Sequence, residues 1–133
     1  MEEMTKRELA FGYIYSQEIQ GQNSKNQVKL FLDSTEVEDG RTREYVKEIA
    51  SGIKDNNEEI TNMIAKNLKS GWTIDRISTV DLALLKLAIY EIKYKQVPFK
   101  IIINEAVNMA KKYGEDTSAS FINGVLAKIV ATA

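Results

Sequence analysis

The chain has 133 residues, 44% hydrophobic and 28% charged, enough apolar material for one buried core, so residues 1–133 are expected to form a single domain. It has neither cysteine nor histidine, which excludes disulfides, thiol nucleophiles, Ser-His-Asp triads and the usual zinc sites. A net charge of −1 does not by itself point to nucleic acid, and neither a signal sequence (the start is acidic, Glu2-Glu3) nor an apolar run near the ~20 residues of a membrane helix is evident, so a cytoplasmic protein without membrane contact is expected.

One proline and long stretches of apolar residues at helical spacing leave little room for strands. The first helix is expected over residues 5–20. Thr5 and Glu8 have capping-box spacing, and Gly21 followed by Gln22, Asn23 and Ser24 ends the helix. A shorter helix follows Ser24, carries Val28, Phe31 and Leu32, and ends in the acidic stretch before Gly40. A third, over about residues 42–54, has Tyr45, Val46, Ile49 and Ile53 on one face. Asp55 or Asn56 can cap a fourth, striped by Ile60, Met63, Ile64 and Leu68. Gly71-Trp72 marks a turn and residues 73–76 a short helical turn, before Ser78 caps a fifth main helix to about Tyr94. The apolar residues of that helix, from Val80 to Ile92, surround most of the cylinder, so it is expected to be buried or covered by a partner.

Pro98 suits the first turn of a sixth helix, which carries Ile101, Ile102, Ala106, Met109 and Ala110 to Gly114. The run Ile101-Ile102-Ile103 has strand propensity, but the helical pattern that follows and the lack of a partner strand outweigh it. A last helix spans about residues 117–130. The predicted class is all-α, one helical bundle of about seven helices in two sub-bundles divided near residue 70.

Little here suggests catalysis. A metal would need carboxylates alone, no calcium-loop spacing occurs, and neither GxxxxGK[ST] nor GxGxxG is present, so no metal, no cofactor and no enzymatic activity are expected. The pairs Glu58-Glu59 and Glu115-Asp116 stand at expected helix starts, a position that carboxylates favour electrostatically. Charge is unevenly spread. Residues 33–39 hold Asp33, Glu36, Glu38 and Asp39 without a basic residue, whereas Lys86, Lys93, Lys95, Lys100, Lys111 and Lys112 face only Glu91 and Glu105 in their stretch. That stretch is either a solvated helix face or a basic surface for phosphate. The first helix likewise has more apolar residues (Leu9, Ala10, Phe11, Tyr13, Ile14, Tyr15 and Ile19) than one core stripe needs, which fits a wide core or a binding patch.

Four ordered blocks in the second half carry a resemblance. Residues 72–91 (WTIDRISTVDLALLKLAIYE) look like the central helix of the NusB family. Residues 97–107 (VPFKIIINEAV) are similar to its VPxKVxINEAVxLAK signature, 110–114 (AKKYG) to AKxFG, and 121–126 (FINGVL) to FVNGVL. More loosely, residues 7–15 (RELAFGYIY) resemble the family's RxxALQxLY helix, and the length matches a stand-alone member. Within these blocks Asn104 and Asn123 are expected to satisfy buried polar groups at helix crossings, Gly124 to permit close packing, and Tyr90 and Glu91 to serve packing and surface ion pairing.

The resemblance implies a NusB-like fold and a transcription antitermination factor. Such a factor binds single-stranded boxA-type RNA of ribosomal RNA leader transcripts together with the ribosomal protein NusE. It joins other Nus factors on RNA polymerase to form the antitermination complex. Matched by position, the RNA side would use Lys6 and Arg7 of the basic arm, and Asp116, Thr117, Ser118 and Phe121 before and within the last helix. Phosphate contacts supply affinity, while an aromatic ring stacks on unpaired bases. The partner side would use Tyr15 and Ile19 on the first helix, with Asp81, Leu82, Leu85 and Lys86 on the central one. The chain departs from the family's pattern in having a single arginine before the first helix, diluted by Glu2, Glu3 and Glu8, with Thr117 and Ser120 replacing the usual Asp and Lys. Weak, salt-sensitive RNA binding alone and tighter binding with the partner are therefore expected. The alternatives are an RNA-independent adaptor on the same scaffold and the NusB-like domain of an rRNA methyltransferase; the second is disfavoured because the chain ends at Ala133 without a cofactor loop or catalytic cysteine.

Overall fold

The structure, a computed structural model, describes residues 4–21 and 25–131. Among these, the elements in chain order are α1 (Lys6–Gln20), α2 (Lys25–Ser34), α3 (Gly40–Asp55), α4 (Asn57–Lys66), a 3-10 turn (Ile74–Arg76), α5 (Thr79–Lys93), α6 (Phe99–Tyr113) and α7 (Ser118–Ala131), with no strand. Glu2, Glu3, the Gln22, Asn23 and Ser24 expected after the first helix, and Ala133 lie outside the described residues.

Local chemistry sets most boundaries. At the start of α1 the Thr5 hydroxyl accepts from the Glu8 N–H at 3.1 Å and the Glu8 carboxylate accepts from the Thr5 N–H at 3.1 Å, a reciprocal capping box. Gly21 ends α1 with φ +72°, a left-handed conformation that suits glycine. Asp39 and Ser78 cap α3 and α5 by accepting from the N–H groups of Thr42 and Asp81. Asn56 behaves differently from the expected cap: its amide donates to the Gly52 carbonyl at 2.8 Å and closes the end of α3 rather than the start of α4. The short 3-10 turn stands where residues 73–76 predicted one.

The core forms around α5, which packs against α1, α3, α4, α6 and α7. Residues 83–91 are all buried, as expected for a helix apolar nearly all round. On one side lie α1, α2 and α3, presenting Tyr13, Leu32, Val46 and Ile49; on the other lie α6 and α7, presenting Ile102, Ala106, Ile122 and Leu126. The helical register resolves the isoleucine run: Ile102 is buried, Ile103 half-buried and Ile101 exposed, so one side chain in three reaches the core, as on a helix.

Three expectations fail here. Asn104 and Asn123 are exposed, because the buried stripes fall on Ile102, Ala106, Met109 and Ala110 of α6 and on Ile122, Val125, Leu126 and Ile129 of α7. Gly124 is also exposed, and a Cβ built there would meet no atom of the described residues within 4 Å, so none of the described helices packs closely upon it. Glu91 pairs in the interior, not on the surface.

Packing requires two glycines: Gly52, where an added Cβ would collide with the Tyr90 ring, and Gly114. The Gly114 N–H ends α6 on the Ala110 carbonyl, and an added Cβ would lie 2.6 Å from the Ser118 hydroxyl and 2.8 Å from that same carbonyl oxygen. Since a backbone oxygen cannot swing aside as a side chain can, Gly114→Ala is expected to destabilise the fold by about 1–3 kcal/mol, the usual cost of overpacking. Urea unfolding checks this, and unchanged stability would mean that the α6–α7 junction is looser than described.

Candidate functional site

The basic arm is held inside the fold more than displayed on it. The Arg7 guanidinium grips Glu91 through two bonds, Nε to Oε1 at 3.0 Å and Nη2 to Oε2 at 3.2 Å, and the Tyr45 hydroxyl donates to the same carboxylate at 2.9 Å. The Glu91 side chain is 2% exposed and that of Arg7 20%. Burial alone would lower the Arg7 pKa, but the bonds to Glu91 outweigh it and raise the value, while burial and the nearby carboxylate push the Tyr45 phenol up. Lys6 is exposed, with its ammonium 4.7 Å from the centre of the Tyr45 ring. Glu8 anchors the same turn to α6 by accepting from Lys112 at 2.8 Å and from the Tyr113 hydroxyl. The bond from Lys112, followed by that from Tyr113, lowers its pKa to about 2.

At the approach to α7, Asp116 and Thr117 are exposed. Ser118 is buried, and its hydroxyl accepts from the Glu115 N–H at 3.0 Å, so it shapes the turn from within. Phe121 is half-buried and lies 6.0 Å from the Trp72 ring, the two planes inclined at 33°. Trp72 belongs to no expected site; the signal for it was a lone tryptophan in a glycine turn, where no core stripe claims it.

The partner-side residues separate by depth. Ile19 is 62% exposed, Tyr15 and Leu82 are half-buried, and Leu85 is wholly enclosed. Leu85 thus makes its contacts within the core. Lys86 is also buried, pairing with Glu18 of α1 and donating to Asn57 at 3.0 Å. Asp81 is buried too, and its Oδ1 meets no hydrogen-bond donor among the described residues. The breadth of apolar residues on α1 serves the core, since Leu9, Ala10, Phe11, Tyr13 and Ile14 are all buried. Phe11 meets Tyr113 of α6 and Tyr13 meets Phe31 of α2, so the helix is flanked on more than one side, and Ile19 is what remains outside.

The lysine-rich stretch of residues 86–112 is largely neutralised by other helices. Lys86, Lys93, Lys95 and Lys112 pair with Glu18, Glu59, Glu48 and Glu8 in turn. No group of carboxylates among the described residues is arranged to hold a metal ion, and none of the described helices is long and apolar enough to cross a membrane.

Comparison with known proteins gives one consistent match. The profile of the NusB family matches residues 4–131. The transcription antitermination protein NusB of Acetivibrio thermocellus is 44% identical over 125 residues, covering 93% of this chain and 85% of that protein. Among solved structures, T. maritima NusB superposes with a TM-score of 0.84 at 29% identity, covering 98% of this chain and 93% of that one. A chain from the crystal structure of antitermination factors NusB and NusE in complex with dsRNA superposes with a TM-score of 0.87 at 26% identity, covering 96% and 95%.

Two outcomes follow from the arm's geometry. Arg7→Gln leaves the enclosed Glu91 carboxylate without its cation and is expected to cost about 3 kcal/mol of stability; thermal unfolding checks it, and an unshifted midpoint would contradict the pairing. Glu8 has a depressed folded-state pKa, so its contribution is present above its ordinary value of 4.5 and is lost as pH falls toward about 2. The stability gap between the natural chain and Glu8→Gln, about 1–2 kcal/mol near neutral pH after allowing for the exposed Lys112, should close over that window in acid titrations monitored by circular dichroism. A gap that stays constant would show that the carboxylate is not ionically paired.

Proposed function

The chain belongs to the NusB family, and we propose that it is a transcription antitermination factor that binds boxA-type single-stranded RNA of ribosomal RNA leader transcripts together with NusE. In this reading the pair joins other Nus factors on RNA polymerase, in the cytoplasm, as a single domain that binds and does not catalyse. One observation carries the reading: 96% of the chain shares its fold with a chain crystallised with NusE and dsRNA.

The exposed geometry divides the labour. Ile19, Tyr15 and Leu82 form an apolar contact for NusE, with Leu85 and Lys86 stiffening it from below. The unmatched Oδ1 of Asp81 accepts a donor from the partner, which removes the penalty of a buried lone oxygen. Phe121 stacks on an unpaired base, with Asp116 and Thr117 beside it for polar contacts and Ser118 holding the turn. Lys6 supplies phosphate attraction, and Arg7 mainly fixes the arm through Glu91. A second reading, an adaptor that binds NusE but not RNA, is favoured by the occupation of Arg7.

Titrating labelled boxA RNA with the chain alone and with NusE tests the first reading. We expect weak, salt-sensitive binding alone and binding at least tenfold tighter with the partner; equal affinities would sink the cooperative scheme, and no RNA binding in either case would leave the adaptor. Ile19→Asp should weaken capture of NusE by about 2 kcal/mol, the loss expected for a central apolar contact, without altering the melting temperature.

A further inference from the structure

Of the cations expected to meet phosphate, Arg7 is held by Glu91 and most of the lysine stretch by carboxylates of other helices, which leaves the exposed Lys6, over the Tyr45 ring, as the arm's accessible charge. A different surface has both rings and accessible positive charge. It lies on the connection from α4 to α5, where Gly71 takes φ +86° and the Trp72 N–H donates to the Lys69 carbonyl at 3.0 Å. This turn directs the Trp72 ring toward α7, where it meets Phe121, yet leaves it 47% exposed. Lys69 and Arg76, three residues before and four after Trp72 in the chain, are exposed, and neither makes a salt bridge among the described residues, although the Asp75 carboxylate, its pKa lowered chiefly by the Thr73 hydrogen bond, also feels Arg76.

Next to the rings is a helix position with nothing upon it. Gly124 lies one turn beyond Phe121, exposed, with open space where a Cβ would be. Glycine within a helix costs about 1 kcal/mol against alanine, and no packing among the described residues offsets that cost. The bare backbone lets a flat ligand approach α7 beside the ring pair.

We infer that Trp72 and Phe121 together form a two-ring platform on which unpaired bases of the RNA stack, with Lys69 and Arg76 taking the adjoining phosphates. The inference rests on the RNA-binding reading above and adds to it a ring and two cations from outside the expected site. The ligand class follows from the chemistry. A half-exposed indole offers a π-face to any base, and a base presents its own face only when it is not paired within a duplex. Lys69 and Arg76 outnumber the Asp75 carboxylate on this connection and favour a polyanion over a neutral apolar peptide.

Trp72 is the sole tryptophan of the chain, so its emission reports on this surface alone. The complex of the chain with NusE is titrated with single-stranded boxA RNA and with the same sequence annealed to its complement, the partner's own emission being subtracted. Binding is followed in parallel by anisotropy of the labelled RNA. Stacking predicts that single-stranded RNA quenches the indole with the midpoint found by anisotropy. Trp72→Ala should weaken RNA binding about tenfold, as expected for loss of one base–aromatic stack, and Trp72→Phe less than threefold, with NusE capture intact in both. Changing Lys69 and Arg76 together to glutamine should flatten the log–log salt dependence by about 1.4, at roughly 0.7 per phosphate contact on a single strand.

Normal RNA binding with an unquenched indole and an unaffected alanine variant would overturn the platform while leaving the functional reading in place. Equal quenching by the duplex would overturn base stacking. Failure of the natural complex to bind RNA at all would overturn both. The quenching is read on the unaltered chain, so it decides the matter even where the alanine variant does not fold.

Discussion

A helix buried on every side imposes its own surroundings. Residues 83–91 of α5 cannot remain in water with that much apolar surface, so other helices must enclose them, and the fold is what satisfies that demand. Helices α1 and α3 close one flank, α6 and α7 the other, and α4 reaches both α5 and α7. The two sub-bundles are thus joined through a shared helix, and loosening α5 would loosen both together.

Enclosing α5 also traps its polar residues, and these specify which helix lies where. Glu91, enclosed with the helix, is matched by Arg7 of α1 and Tyr45 of α3, whose bonds converge on a single carboxylate. Lys86, one and a half turns earlier, is matched by Glu18 of α1 and Asn57 of α4. Apolar contacts tolerate sliding, whereas a buried charge without its partner is costly, so these two sites set the register of α1 along α5. The same logic explains why the first helix begins where it does: Glu8 caps α1 and at once ties it to Lys112 and Tyr113 of α6.

What the sequence showed, and what it concealed, follows the range of each interaction. Helix ends set by capping boxes, glycines and the lone proline were legible within a residue or two, because the groups involved are neighbours along the chain. The all-round burial of α5 and the stripes of α3 and α4 were legible for the same reason, being matters of local periodicity. Asn104, Asn123 and Gly124 were misplaced because a polar or small residue in a helix looks the same whether it faces a crossing helix or solvent; only the rotational setting of α6 and α7 decides. Leu85 and Ile19 read alike as apolar residues near a contact surface, yet one is enclosed and the other mostly exposed. Their difference arises from the docking of α1 against α5.

Charge is the property that local reading handles worst, and it bears most on function. Counted along the chain, residues 86–112 look like a basic face; counted in space, Glu18, Glu59, Glu48 and Glu8 arrive from three other helices to answer it. A cation already matched at a few ångströms has little left to offer a phosphate, since binding would exchange one anion for another with small net gain. Attraction for RNA is therefore governed by the positions that lack a matching carboxylate, irrespective of where lysines are most numerous. On this molecule Lys69 and Arg76 make no salt bridge among the described residues, although Arg76 has the exposed Asp75 beside it, and both stand on the one connection that also holds an exposed tryptophan. Accessible charge and an unsheltered ring share a physical cause, because that connection lies outside the helices that must close around α5.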